Sequence, residues 1–326
     1  MDNATHTLTG LFLSRAGLNK FTPDATAILL IAANLPDIDI ISGVWGAEAY
    51  LHWHRNLTHS LLLAPVLAFL LVWAFRMFRP RVPWSSAFFV ALLGVGSHLA
   101  LDLTNIYGIR LLLPMRSTWF HLDLTPVIDF WIWGVFGVCI AAPFLGRLVS
   151  AEIGAGRAGR SKGRVSASAA LVFLAVYNGG RAVAHSRVVA TLDAREYGGA
   201  PPMRVAAFPA SMNPLHWNGL AETSTAYYSY DFHIPEAFDP AQGTVDSKAE
   251  ASQAITIAAA SPAFRVFAEF ALYPLYRVTP GPEGGTRVEL TDMRFGFTST
   301  ALLTRTLQVQ RAWLQLGAAP HAGQAP

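Results

Sequence analysis

Four apolar runs, residues 58–78, 84–105, 127–148 and 165–184, are each about as long as the roughly 20 residues that a helix needs to cross a bilayer. Inside lipid a segment must satisfy its own backbone hydrogen bonds, so such runs can be little other than helices. Composition agrees: 52% of the chain is hydrophobic and 14% charged, against about 25% charged in an ordinary soluble protein. The deficit is not uniform: residues 58–185 hold the four long apolar runs, whereas 186–326 read as soluble sequence. Trp53, Trp84, Trp119, Trp131 and Trp133 lie near the ends of the runs, where interfacial aromatics collect.

Two shorter apolar stretches, 5–18 and 23–35, precede these runs and read as a short helical hairpin, with Pro23 suited to a first helical turn. The start has no basic segment, and Arg15 and Lys20 interrupt its apolar sequence, so it does not read as a cleaved signal peptide. Cys139 is the single cysteine, which leaves no disulfide framework within one chain. A formal charge of +3 is too small to argue for nucleic acid.

The placement of the basic residues says more than their number. Arg76, Arg79 and Arg81 lie between the first two long runs. Arg147, Arg157, Arg160, Lys162 and Arg164 lie between the last two. Setting both linkers in the cytoplasm brings Arg15 and Lys20 there as well, ten Lys/Arg in all, and leaves Arg55, Arg110, Arg116 and Arg181 opposite. That orientation carries Asp37, Asp39, His59, His98, Asp102 and Asp129 to the non-cytoplasmic ends of their segments, with His6 in reach. Segments far apart in sequence thus converge on one face.

The residue types on that face suit a metal. His98-x-x-x-Asp102 places an imidazole and a carboxylate one helical turn apart on one face. Asp37-x-Asp39 follows Leu35-Pro36 and points both carboxylates one way if the segment is extended. His54 and His59 flank a helix start that Asn56 or Thr58 can cap, and His121, Asp123 and Asp129 add an outer loop. Each has an ordinary reading when taken singly. Asp37 and Asp39 fit a solvated turn, His52 a wet loop, and His59 a cap region. His98 and Asp102 fit a structural pair, Asp123 a turn, and Asp129 a helix start beside Pro126. Together they are costly near lipid unless satisfied. Carboxylates outnumber cationic partners, and neutral imidazoles stand beside them, which is the donor set of zinc or another first-row divalent ion.

These residues resemble a known family. His6, the Leu35-Pro36-Asp37-Ile38-Asp39 run, His54-Arg55-x-x-Thr58-His59-Ser60 and His98-x-x-x-Asp102 are similar to the YdjM-like membrane-bound metal-dependent hydrolases, over about residues 1–135. Asn213-Pro214-Leu215-His216-Trp217 and Asp292-Met293-Arg294-Phe295 are similar to longer members with a C-terminal domain. The resemblance implies His6, Asp37, Asp39, His54, His59, His98 and Asp102 as metal ligands; His52 has no clear counterpart, so His52 versus His54 stays open. A weaker likeness, in the style of the His/Asp ligands, is to zinc-dependent phospholipase C.

The fold expected is therefore an α-helical multi-pass membrane domain, a short hairpin plus four transmembrane helices over 1–185. A small α+β, mainly antiparallel β, soluble domain over 186–316 and a disordered tail over 317–326 follow. RVAAFPA, HWNGLAETSTAYYSYDFHI, LYPLYRV, TRVELTDMRFGF and TLQVQRAWL read as strands, and 247–260 as a helix. Asp231, His233, Asp292 and Arg294 read as strand-surface residues, and His185, His216, His233 and His321 as surface or packing histidines.

The function expected is metal-dependent hydrolysis of a phosphoester or lipid-like substrate at the non-cytoplasmic face of the inner membrane. Zinc is the first choice of metal and manganese the second. Asp123 is the candidate base and Arg55 the partner of an anionic substrate group. Membrane lipid is the expected surrounding, nucleic acid is not expected, and nothing in the chain names a protein partner for the C-terminal domain. The alternative is a membrane sensor or scaffold with a closed structural metal site. A metal transporter ranks last, because runs 58–78 and 127–148 carry almost no ionisable residue at mid-span.

Overall fold

In the computed structural model, residues 1–152, 161–280, 286–295 and 313–316 are described. Seven helices come first: α1 Asn3–Ala16, α2 Ala25–Ala32, α3 Ala47–Trp53, α4 Ala64–Phe78, α5 Trp84–Thr104, α6 Phe130–Glu152 and α7 Ser161–Asp193. Asp2 starts α1 by accepting hydrogen bonds from the Ala4 and Thr5 amides, both at 3.0 Å. Among the described residues, three helical stretches can cross a membrane by length and composition, Trp84–Thr104, Phe130–Ser150 and Gly163–Asp193, or up to five if each of two bent pairs is one span.

The expected span 58–78 is not one straight helix. Residues 47–59 and 64–78 meet at 83°. Pro65 explains the break, since proline lacks the amide an interior turn requires but is accepted in the first turn, where α4 begins. The other three runs become α5, α6 and α7, with α7 running on to Asp193, eight residues past the expected boundary.

Tight packing of α1, α2 and α5 positions the polar cluster. Gly10 lies where a Cβ would stand 2.8 Å from the Leu29 carbonyl oxygen, and a Cβ on Gly94 would stand 2.6 Å from that of Ala32. Small residues let membrane helices approach this closely. Ala25, Ile28, Leu29, Ala32, Val90 and Val95 fill the seam below.

The C-terminal region carries two antiparallel sheets. The first comprises β1 Arg204–Pro209, β2 His216–Glu222, β3 Ala226–His233 and β4 Thr244–Ser247 in that order. The second comprises β5 Pro274–Pro280, β6 Thr286–Asp292 and β7 Trp313–Leu316. The strand-forming run from His216 folds as the β2–β3 hairpin, its turn closed by Thr223 and Ala226. The expected helix 247–260 is shorter, α8 Gln253–Ala260. A further helix, α9 Pro262–Phe270, follows Ser261, which caps it. The expected tail 317–326 and most of the last expected strand lie outside the described residues.

Both sheets are fastened to the helices. Val188 and Leu192 of α7 pack with Trp217 and Ala221 of β2. Phe264, Phe267 and Phe270 share one face of α9 and pack with Leu51 and Tyr107. Within the first sheet, Glu222 accepts hydrogen bonds from Arg204 at 2.6 Å and Lys248 at 2.7 Å. Burial alone would raise the Glu222 carboxyl, but these two cationic donors outweigh it and hold it below its ordinary value. A depressed carboxyl gives stability that is complete above the unfolded pKa of about 4.3 and is lost as pH falls through the folded value. The expected result is acid sensitivity of the sheet, read by Trp217 fluorescence, that weakens in Glu222→Gln.

Candidate metal centre

The stretch after α2 decides the site. Residues Leu35–Trp45 form a 3₁₀ helix rather than an extended segment, with Pro36 in its first turn. At three residues per turn, Asp37 and Asp39 cannot share a direction, and they approach His59 at different nitrogens, Asp37 at Nε2 and Asp39 at Nδ1, 3.3 Å away. Asp37 Oδ1 is 3.4 Å from His59 Nε2 and 3.6 Å from His98 Nε2. Asp39 instead accepts from His54 Nδ1 at 2.8 Å, the Arg55 amide at 2.9 Å and Thr58 Oγ1 at 2.6 Å. Those bonds pin residues 54–58, including Arg55 in the left-handed region at φ 60°, a conformation that costs about 1–3 kcal/mol for a long side chain.

The hydrogen bonds also fix which ring nitrogens carry protons. His98 Nδ1 lies 2.7 Å from the Ala33 carbonyl oxygen, which can only accept, so Nδ1 is the donor and Nε2 holds a lone pair. Thr58 gives its only hydroxyl proton to Asp39, so toward His59 Nδ1, 3.0 Å away, it accepts. His59 therefore also carries its proton on Nδ1 and presents Nε2 as a lone pair. The two Nε2 atoms stand 3.1 Å apart. Asp102 Oδ2 lies 3.4 Å from one and 3.6 Å from the other.

Four buried acceptor atoms, from Asp37, His59, His98 and Asp102, thus lie within 4.8 Å of one another, and no donor stands between them among the described residues. Asp37 Oδ1 and Asp102 Oδ2 have no hydrogen-bond partner there. Buried acceptors facing one another are unfavourable unless a cation or a proton joins them. Two imidazoles and two carboxylates are a donor set that a divalent ion fits. Asp37, Asp39 and His54 form a second, overlapping group of this kind.

The remaining expected residues fall around this core. His6 is fully buried, stacks on His98 with ring centroids 3.8 Å apart, and places Nε2 3.2 Å from Asp102 Oδ1. The N-terminal ammonium pairs with that same oxygen. Arg55 is buried, donates to Asp102 at 3.1 Å and Asn105 at 2.9 Å, and lies over the Tyr107 ring. His54 is buried beside Asp39, whereas His52 is exposed with its ring edge against Trp53. Of the two, His54 is the one at the cluster.

Asp123 is placed elsewhere. It pairs with His121 at 2.8 Å and lines a different cavity with His185 and Tyr273. Asp129 caps the start of α6 through the Trp131 and Ile132 amides and accepts from Tyr177 at 2.9 Å. Asn105 is the residue that sequence reasoning missed: its Oδ1 receives Arg55 and the Tyr107 amide. Its position three residues beyond Asp102, just past the end of α5, is the signal that marks it.

A cavity of about 410 Å³ opens beside the cluster, with Asp37, His54 and Arg55 on its wall. The C-terminal region closes its far side with Phe208, Ser211 and Phe295. Arg294 locks that region down. It is buried, not on a strand surface as its sequence suggests, and donates to the Ile106 and Phe270 carbonyls, both at 2.9 Å. Asp292, its buried partner at 2.7 Å, departs from the sequence reading in the same way. Asp231 does stay exposed, paired with His216 at 3.1 Å.

Among curated proteins, the chain is similar to the uncharacterized protein YfhP of Bacillus subtilis (strain 168), 26% identical over 137 residues. That match covers 40% of this chain and 42% of YfhP, so the chain spans less than half of that relative's length. No solved structure matches the chain. A family model described as YdjM inner membrane protein matches residues 1–188, the part that holds every side chain of the polar cluster. With more than half of its 326 residues matched, this membrane protein belongs to the YdjM inner membrane protein family.

Proposed function

We propose that this protein is a metal-dependent hydrolase acting on a phosphoester or lipid-like substrate at the non-cytoplasmic face of the membrane. The observation that carries the proposal is the convergence of four acceptor atoms, from Asp37, His59, His98 and Asp102, with no donor among them. Those residues would hold the ion, zinc by the donor set with manganese as the second choice. When bound, such a cation supplies Lewis acidity, which makes water a better nucleophile near neutral pH and polarises the scissile group.

The chain's own groups do the rest. Asp39 orients His54 and, through Thr58, His59. The Ala33 carbonyl fixes the His98 ring. Arg55 presents a guanidinium to an anionic substrate group from the cavity wall. With Asp123 on another cavity, the base at this site is His54, whose Nδ1 proton is held by Asp39, which leaves the lone pair on its other nitrogen to take a proton from the attacking water. His54→Gln is expected to lower kcat by about 10²–10⁴-fold with metal content retained, a combination that separates a base from a ligand.

A sensor or scaffold with a structural ion would want a closed site, so the cavity at the cluster's edge favours the hydrolase. The deciding experiment is elemental analysis of detergent-purified protein alongside a phosphoester panel. About one divalent ion or more per chain is expected, with hydrolysis lost on chelation and restored by zinc or manganese. Hydrolysis by metal-free protein would sink the proposal.

A further inference from the structure

The cavity beside the cluster has two kinds of wall. Asp37, His54 and Arg55 stand on one side. Ile40, Ile106, Val127, Ile128, Phe208 and Phe295 supply an apolar wall, with Asp2, Asn218 and Arg294 among the other lining residues. At about 410 Å³ it falls within the range of small-molecule sites. Three donors around it have no hydrogen-bond partner among the described residues: Arg55 Nε, Tyr107 Oη and Ser211 Oγ. Tyr107 and Arg55 are 5% and 3% exposed, so leaving these groups unsatisfied is costly. Such donors beside a cation site suit an oxygen-rich anion, whereas the apolar wall suits hydrocarbon.

The approach to the cavity is apolar as well. Ile40 belongs to the 3₁₀ segment whose Ile38, Ile41, Val44 and Trp45 side chains are exposed. In a membrane protein an exposed stripe of this kind faces lipid or the interface, so one side of the cavity borders the bilayer. The opposite side, with Phe208, Ser211 and Phe295, comes from sequence beyond residue 188, where the family match ends.

We infer that the site takes an amphiphile: an anionic, oxygen-rich head at Asp37, Arg55, Tyr107 and Ser211, and a hydrocarbon chain lying between Ile128 and Phe295, with the C-terminal region setting the preferred chain. The position of the head rests on the hydrolase reading; the chain-binding wall stands on its own residues.

The test is binding of methylphosphonate and dodecylphosphonate to the full-length, metal-loaded protein in nanodiscs, by calorimetry. Dodecylphosphonate is expected to bind at least about ten-fold more tightly, from burial of its methylenes. Partitioning into the bilayer is common to all variants. Ile128→Trp, which fills the chain site, and Phe295→Ala, which removes a wall, are therefore each expected to erase most of that gain. Equal affinity for the two probes would mean a free-anion site and overturn the inference. A gain unchanged in both variants would assign it to the bilayer and overturn it equally. The same samples are assayed for phosphoester hydrolysis. Chain-dependent binding without turnover would remove the hydrolase reading and leave the amphiphile site, whereas turnover with no dependence on chain length would do the reverse.

Discussion

Replacing His98 with Ala is expected to cost more than about 100-fold in metal affinity, and phosphoester hydrolysis with it, while the protein still inserts in the membrane. The reasoning compares two classes of residue. Groups that merely orient a ligand are worth about 10–100-fold in affinity or activity; Asp39, which holds His54 and Thr58, is of that kind. His98 is itself one of the four converging donors, and its loss leaves two carboxylates and one imidazole. Asp39→Asn should therefore fall between wild type and His98→Ala, and zinc titration of the two purified variants reads the order directly. Equal losses in both would make the cluster a hydrogen-bonded network rather than a coordination site. Retained activity in His98→Ala would remove it from the chemistry altogether.

How far the cluster could be read from sequence depended on which distances local rules control. His98 and Asp102 are one turn apart on α5, so helical periodicity was enough to pair them. Asp37 and His59 sit on other segments, and charge bias across the linkers brought them to the same face. The roles of Asp37 and Asp39 were not legible, because they depend on whether Leu35–Trp45 is extended or 3₁₀. A stretch as apolar as LPDIDIISGVW is compatible with either. His52 and His54 differ by two places, and only the end of α3 at Trp53 decides that one is exposed and the other buried.

The C-terminal region shows the limit more plainly. Asp292-x-Arg294 looks like one face of a strand, but β6 stops at Asp292 and a 3₁₀ turn follows. That turn sends Arg294 inward to the carbonyls of Ile106 and Phe270. A contact across 188 residues leaves no periodic trace in sequence. The position of Asp123, the candidate base, was not legible for a related reason: its backbone at φ 54° and its bond to His121 set it on another cavity.

Asp292→Ala is expected to destabilise the docked C-terminal region by about 3–5 kcal/mol, the cost of leaving a buried guanidinium without its counter-charge. The Arg294 and Asp292 side chains are both fully buried and stand 2.7 Å apart. Arg294 also lies over the Phe270 and Phe295 rings, at 4.7 and 5.0 Å. Its carbonyl partners cannot neutralise it, so the loss of Asp292 strands a full charge. Arg294→Met should be costly too, since Asp292 then keeps only the Leu272 and Arg294-position amides as donors. The double variant Asp292→Ala/Arg294→Met removes both charges and is expected to recover much of the loss, because an apolar replacement of a buried pair is often close to neutral. Denaturant titration followed by limited proteolysis reads both effects, with cleavage rising in the C-terminal region and the helices staying protected. Should the double variant prove as unstable as the worse single one, the carbonyl contacts to Ile106 and Phe270, and not the ion pair, hold the roof over the cavity.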